Sequence, residues 1–182
     1  MILKKNATKK ISTLEHLISA LKLGQYDEVL TQSFDLVIPL EELQPYISWN
    51  PNRYTRNCIA RNEDFELILL CWEKGQKTAI HCHNDQECWV KVIRGDFEEC
   101  LYEYDEAMNL MSYTKTDQVS QNQVSIIDDK DIYHTLENIS QGRSISLHLY
   151  MKPILECGVF NQKTNQLETK TLAYDTLEGE EV

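Results

Sequence analysis

The chain opens with apolar residues at helical spacing. Leu14, Leu17, Ile18 and Leu21 recur three and four positions apart, which places them on one face of a helix. Ser12 and Glu15 have the S-x-x-E spacing of a capping box ahead of that face, and Gly24 is a good stop. A second short helix fits Asp27 to Phe34. Pro39 can open a third, running into EELQ before Pro45. After Pro51 the texture changes. FELILLCW (65–72), CWVKVI (88–93), FEECLYEY (97–104), VSIID (124–128) and SISLHLYM (144–151) are rich in apolar, β-branched and aromatic residues, as strands are. EKGQ, RGD, YDEAMN, DDKD and SQGR are the turn signals that separate them.

Short strands at close spacing predict a sandwich or barrel, and helices segregated at the N-terminus should pack outside it. No linker, internal repeat or low-complexity tract divides the chain. One domain is therefore expected over 1–182, with a helical segment at 1–50, a β core at 51–175 and an acidic tail at 176–182. The end of that tail, EGEEV, is expected to fray.

Composition narrows the function. Apolar residues make up 42% and charged residues 26%, which is ordinary for a soluble globular protein. A net charge of −11 argues against a general nucleic-acid binder, because phosphate binding needs clustered cations. No apolar run approaches a membrane span, and the basic start MILKKNATKK lacks the apolar stretch of a secretory signal. The expectation is a cytoplasmic monomer with no membrane or nucleic-acid partner. Its six cysteines (58, 71, 82, 88, 100 and 157) should then be reduced thiols, and the sequons at Asn6 and Asn138 chance matches.

The candidate chemistry lies in HCHNDQECW, residues 81–89. Side chains alternate along a strand, so His81 and His83 face the same side and can share a metal. The run Gly75, five residues, His81, one residue, His83, four residues, position 88, six residues, Gly95 resembles the first cupin motif, G-x5-H-x-H-x3,4-E-x6-G. Counting back from Gly95 puts the motif's glutamate at Cys88. Parity agrees, since Cys88, Val90 and Val92 share one face while Glu87, Trp89 and Lys91 share the other. Cys88 should face the site, and Glu87, like Lys91, should face solvent. His134 with Asn138 matches the H-x3-N end of the second cupin motif. Asp129 and Asp131 stand where that motif usually has P-x-G. His16, on the first helix, is read as a solvated residue. The implied fold is mainly β, a cupin (double-stranded β-helix or jelly-roll) barrel with N-terminal α-helices outside. Three neutral imidazoles leave positions open on an octahedral metal, as in non-haem iron oxygenases; zinc with a bound water is the rival chemistry.

YTRN (54–57), LCW (70–72), H-x-H with a cysteine five residues later, and SLHLY (146–150) together resemble the cysteine dioxygenases, thiol dioxygenases of the cupin superfamily. The likeness runs from about Tyr54 to Asp175. It implies Fe(II) held by His81, His83 and His134, with L-cysteine and O2 as substrates and cysteine sulfinic acid as product. Arg56 falls on the family's substrate-carboxylate residue, where a guanidinium can donate two charge-assisted hydrogen bonds. Tyr54 shares its parity and can assist; Arg53 and Arg61 lack this motif support. Ser146, His148 and Tyr150 alternate with Leu147 and Leu149. Three polar groups on one face form either a solvent-facing stripe or, as the family implies, a relay that places the Tyr150 hydroxyl beside the reacting groups. The resemblance also makes a Cys88–Tyr150 thioether possible, and puts Cys157 near the site mouth. Cys82 and Glu87 depart from the animal members and are expected to face away from the metal. Two alternatives stand beside this reading: a dioxygenase for another small thiol such as 3-mercaptopropionate, whose relatives carry glutamine in place of Arg56, and a non-catalytic metal-binding cupin.

Overall fold

The computed structural model describes residues 10–83, 86–127 and 132–182. The sequon at Asn6 and the DDKD turn, with Asp129 and Asp131, lie outside the described residues. Three short helices come first: α1 (Leu14–Lys22), α2 (Tyr26–Gln32) and α3 (Leu40–Leu43), the last entered through Pro39. The cap of α1 is Thr13 rather than Ser12. Thr13 is extended, and its Oγ1 accepts from the His16 N–H at 3.1 Å, so the helix starts one residue later than the S-x-x-E spacing implies. His16 is half-buried there rather than solvated.

The rest is β structure: β1 (Thr55–Arg61), β2 (Glu66–Trp72), β3 (Ile80–His81), β4 (Cys88–Arg94), β5 (Asp96–Asp105), β6 (Leu110–Ser120), β7 (Val124–Ile127), β8 (Ile132–Asn138), β9 (Ser144–Tyr150), β10 (Glu156–Asn161), β11 (Gln166–Thr171), β12 (Thr176–Leu177) and β13 (Glu180–Glu181). They form two sheets, ordered β13-β12-β1-β2-β9-β4-β7 and β11-β10-β3-β8-β5-β6. From β3 to β5 the chain alternates between the sheets, which is how a double-stranded β-helix winds. The mainly β class and the barrel with helices outside are therefore as expected.

Strand parity decides what each sheet face buries. On β9, Ile145, Leu147 and Leu149 join Leu14, Leu17 and Leu21 of α1 and Trp89 of β4 in one apolar cluster, so the helices cover the outer face of the seven-stranded sheet. Each buried leucine there contributes about 1.5–3 kcal/mol. The opposite residues of the same strands fill the interior with Ile68, Leu70, Trp72, Cys88, Val90, Val92 and Phe97.

Two expectations fail on this framework. Lys91 does point out of the barrel, but it is buried under the N-terminal segment rather than solvated. Its ammonium donates to the carbonyls of Ser33 (3.1 Å), Phe34 (3.2 Å) and Asn122 (2.6 Å). Glu87, on the same parity, is half-buried. The tail does not fray. β12 pairs in parallel with β1, Asn57 opposite Thr176, and β13 folds back on β12 through Glu178 and Gly179, both at positive φ. Backbone bonds from Asp175 N to Arg56 O (2.7 Å) and Glu178 N to Cys58 O (2.8 Å) fix it.

Asn138 is structural. Its buried amide donates to Glu73 O (3.0 Å) and Gly142 O (2.8 Å) and accepts from Ser140 N and Ser144 Oγ, pinning two turns at the end of β8.

Candidate metal centre

β3 lies beside β8 with His81 and His134 as direct Cα partners, and His83 follows two residues on, past the end of the strand. The three imidazoles converge, with one ligand nitrogen from each within 4.8 Å of the others. His81 Nδ1 is 3.0 Å from the Ala79 carbonyl, and His134 Nδ1 is 2.8 Å from Glu99 Oε1. Both oxygens can only accept, so both Nδ1 atoms carry protons and both Nε2 atoms present lone pairs. His134 Nε2 faces His83 Nε2 at 3.0 Å. Burial, reinforced by the neighbouring His134, pushes His81 down to about 3 and His83 well below the usual histidine range. Nitrogens converging in this way fit a divalent cation with imidazole preference, and among the described residues no carboxylate joins the cluster.

Glu99 was not foreseen. It is buried on β5, shares the inward parity of Phe97 and Leu101, and accepts Ser125 Oγ at 2.5 Å through its other oxygen. It fixes the tautomer and orientation of His134 in the way carboxylates commonly support a ligating histidine. The available signal was that parity, a carboxylate at an inward strand position.

The polar face of β9 points into the same interior. Ser146, His148 and Tyr150 are all buried, which rules out the solvent-facing stripe. Trp72 Nε1 donates to Ser146 Oγ (2.9 Å), and Ser146 Oγ is 2.8 Å from His148 Nε2. The His148 and Tyr150 rings lie nearly parallel, 6.2 Å between centroids, and Tyr150 meets the His83 ring edgewise at 5.5 Å. Trp72 therefore belongs to this network, although sequence reading had used it only as part of LCW. Burial, then the Arg56 cation, holds His148 well below the usual range; burial, then Cys88, holds the Tyr150 phenol well above its own. Both are neutral at neutral pH. Tyr150 and Cys88 are direct Cα partners across β9 and β4.

Arg56 enters from β1. It is 8% exposed, and its Nε and Nη2 have no hydrogen-bond partner among the described residues. Tyr54 stacks on Trp72 at 4.4 Å. Tyr54, Arg56, His81, His83, Tyr150 and Cys157 line one pocket. Arg53 and Arg61 stay outside it: Arg53 forks onto Asp175 (2.8 and 2.6 Å) and Arg61 donates to the Tyr174 hydroxyl (3.1 Å). Of the proposed site residues, Tyr54, Arg56, His81, His83 and Tyr150 line the pocket, while His134, Ser146, His148 and Cys88 are buried in the barrel interior.

The profile of the family described as "Cysteine dioxygenase type I" matches residues 7–163. "Cysteine dioxygenase type 1" of Rattus norvegicus is 32% identical over 179 residues, covering 93% of this chain and 90% of that protein. The Homo sapiens protein of the same name is 31% identical over the same shares, and that of Danio rerio 29% identical over 94% and 90%. A solved Klebsiella pneumoniae protein with a double-stranded β-helix domain overlays 60% of this chain and 81% of its own at a TM-score of 0.49 and 14% identity. On the match of its sequence along most of its length, the chain belongs to the cysteine dioxygenase type I family.

Proposed function

We propose that this chain is an Fe(II)-dependent dioxygenase that adds both atoms of O2 to the sulfur of L-cysteine, giving cysteine sulfinic acid. The observation that carries the reading is a buried Arg56 whose Nε and Nη2 find no hydrogen-bond partner among the described residues, in the pocket lined by His81 and His83 of the histidine cluster. His81, His83 and His134 would hold the iron, with Glu99 orienting His134. When bound, Fe(II) supplies the redox chemistry that ground-state O2 needs to react with a thiolate. Arg56 takes the substrate carboxylate through its free N–H groups, which orients the sulfur end toward the histidines. Tyr54, stacked on Trp72, walls the pocket beside it. Tyr150 stays protonated and offers its hydroxyl to negative charge developing on oxygen. Trp72, Ser146 and His148 hold the polar face of β9 without adding charge, and Cys88 restrains the Tyr150 hydroxyl. Cys157 lines the entrance.

The same reading takes 1–182 as one cupin unit, monomeric and cytoplasmic. Among the described residues no helix is long and apolar enough to cross a membrane. The test is oxygen uptake by iron-loaded protein with L-cysteine, run beside 3-mercaptopropionate and cysteamine. L-cysteine should be consumed fastest, with sulfinate formed. Equal or faster use of cysteamine, which has no carboxylate, would overturn the role given to Arg56. Faster use of 3-mercaptopropionate would reassign the substrate.

A further inference from the structure

Beside Arg56 lies a second buried charge that the proposed chemistry does not use. Glu66, on β2, is fully buried, and its Oε2 stands 4.0 Å from Arg56 Nη2, close enough to balance the guanidinium but beyond hydrogen-bonding distance. Two groups hold the carboxylate there. Ile154 N donates to Oε2 at 3.2 Å, and the Tyr174 hydroxyl donates to Oε1. Arg61 Nη1 donates in turn to the Tyr174 oxygen at 3.1 Å, which leaves the hydroxyl proton directed at Glu66. Tyr174 belongs to the stretch between β11 and β12 that lines a neighbouring pocket, which shares Tyr54, Arg56, Lys170 and Leu172 with the histidine pocket.

A buried cation with no counter-charge is costly, and a direct ion pair would occupy the donors a substrate needs. The observed geometry avoids both. We propose that Tyr174 is a positioning residue that restrains Glu66, so that Glu66 neutralises Arg56 without capturing the N–H groups that take the substrate carboxylate. The inference rests on the reading of Arg56 as the carboxylate-binding residue. Without the Tyr174 hydroxyl, Glu66 needs to move only about 1 Å to pair directly with Arg56.

The test is a set of variants of the iron-loaded protein, read by KM and kcat for L-cysteine and by equilibrium L-cysteine binding without oxygen. Tyr174→Phe should raise KM and weaken binding about tenfold, the size of one charge-assisted hydrogen bond, with a smaller change in kcat. Adding Glu66→Gln to Tyr174→Phe should restore KM, because a neutral amide has no charge with which to capture the guanidinium. A general loss of packing would not be rescued in this way. An unchanged KM in Tyr174→Phe, or a double variant as weak as the single, overturns the proposal. Arg56→Ala run alongside separates the two levels: unchanged KM there takes down the carboxylate reading itself, and the restraint with it.

Discussion

Cys88 and Tyr150 are direct partners across β4 and β9, both buried inside the barrel. Direct partners on neighbouring antiparallel strands have Cβ atoms about 4.5–5.5 Å apart, within reach of a bond between sulfur and ring. Repeated turnover with iron, cysteine and O2 is expected to join them. The sulfur–carbon bond forms as the S–H and one ring C–H are lost, two electrons and two protons passing to O2. Peptide mapping under reducing conditions should find a joined Cys88–Tyr150 peptide lighter by two hydrogens, in a share that grows with turnover. Cys88→Gly should abolish it and keep appreciable activity. Only separate peptides after extensive turnover would remove the crosslink and leave the histidine site standing.

Arg56→Ala should act mainly on binding. Losing a charge-assisted hydrogen bond costs on the order of 1.5–3 kcal/mol, so KM for L-cysteine should rise roughly tenfold to a hundredfold with a smaller fall in kcat. Steady-state kinetics decide it. An equal fall in kcat with KM unchanged would mean that Arg56 acts in the transition state rather than in binding.

The histidine spacing and the parity of SLHLY were legible because His81, His134 and the β9 residues lie on strands whose alternation sequence displays, with His83 two residues past β3. His81, His83, His134, Ser146, His148 and Tyr150 could therefore be assigned to one interior. Glu99 was not, since FEECLYEY mixes charges and aromatics on both parities and does not announce which glutamate is inward. Lys91 was misjudged because alternation gives the face but not what covers it; the N-terminal segment does. The hairpin of β10 and β11 and the pairing of the tail left little apolar signal. The edge strands QLETKT (β11) and β13 are polar, β10 and the two-residue β12 lie one strand in, and their stability comes from backbone bonds to neighbours that sequence does not name.

Lys91 ties the helical segment to the barrel, so its loss should be felt in stability rather than chemistry. Lys91→Met keeps the stem and leaves three carbonyls without their donor. Denaturant unfolding should show a loss of about 1–3 kcal/mol, with iron content unchanged. Stability equal to the unmodified protein would mean that water replaces the ammonium at no cost.

Glu99 should be visible in metal affinity. Glu99→Gln removes the charge that supports His134, and loss of such a partner typically weakens metal binding about tenfold to a hundredfold. Competition with a chelator of known affinity measures this directly. His134→Ala, lacking a ligand, should lose more. Undiminished affinity in both would rule out His134 as a ligand.

The central claim is that these residues direct both atoms of O2 onto a cysteine sulfur. Turnover of L-cysteine by the iron-loaded protein under heavy-isotope oxygen gas, followed by mass analysis of the product, tests it most directly. The account predicts cysteine sulfinic acid carrying two labelled oxygens. Product with one label or none, or cystine in its place, would contradict it.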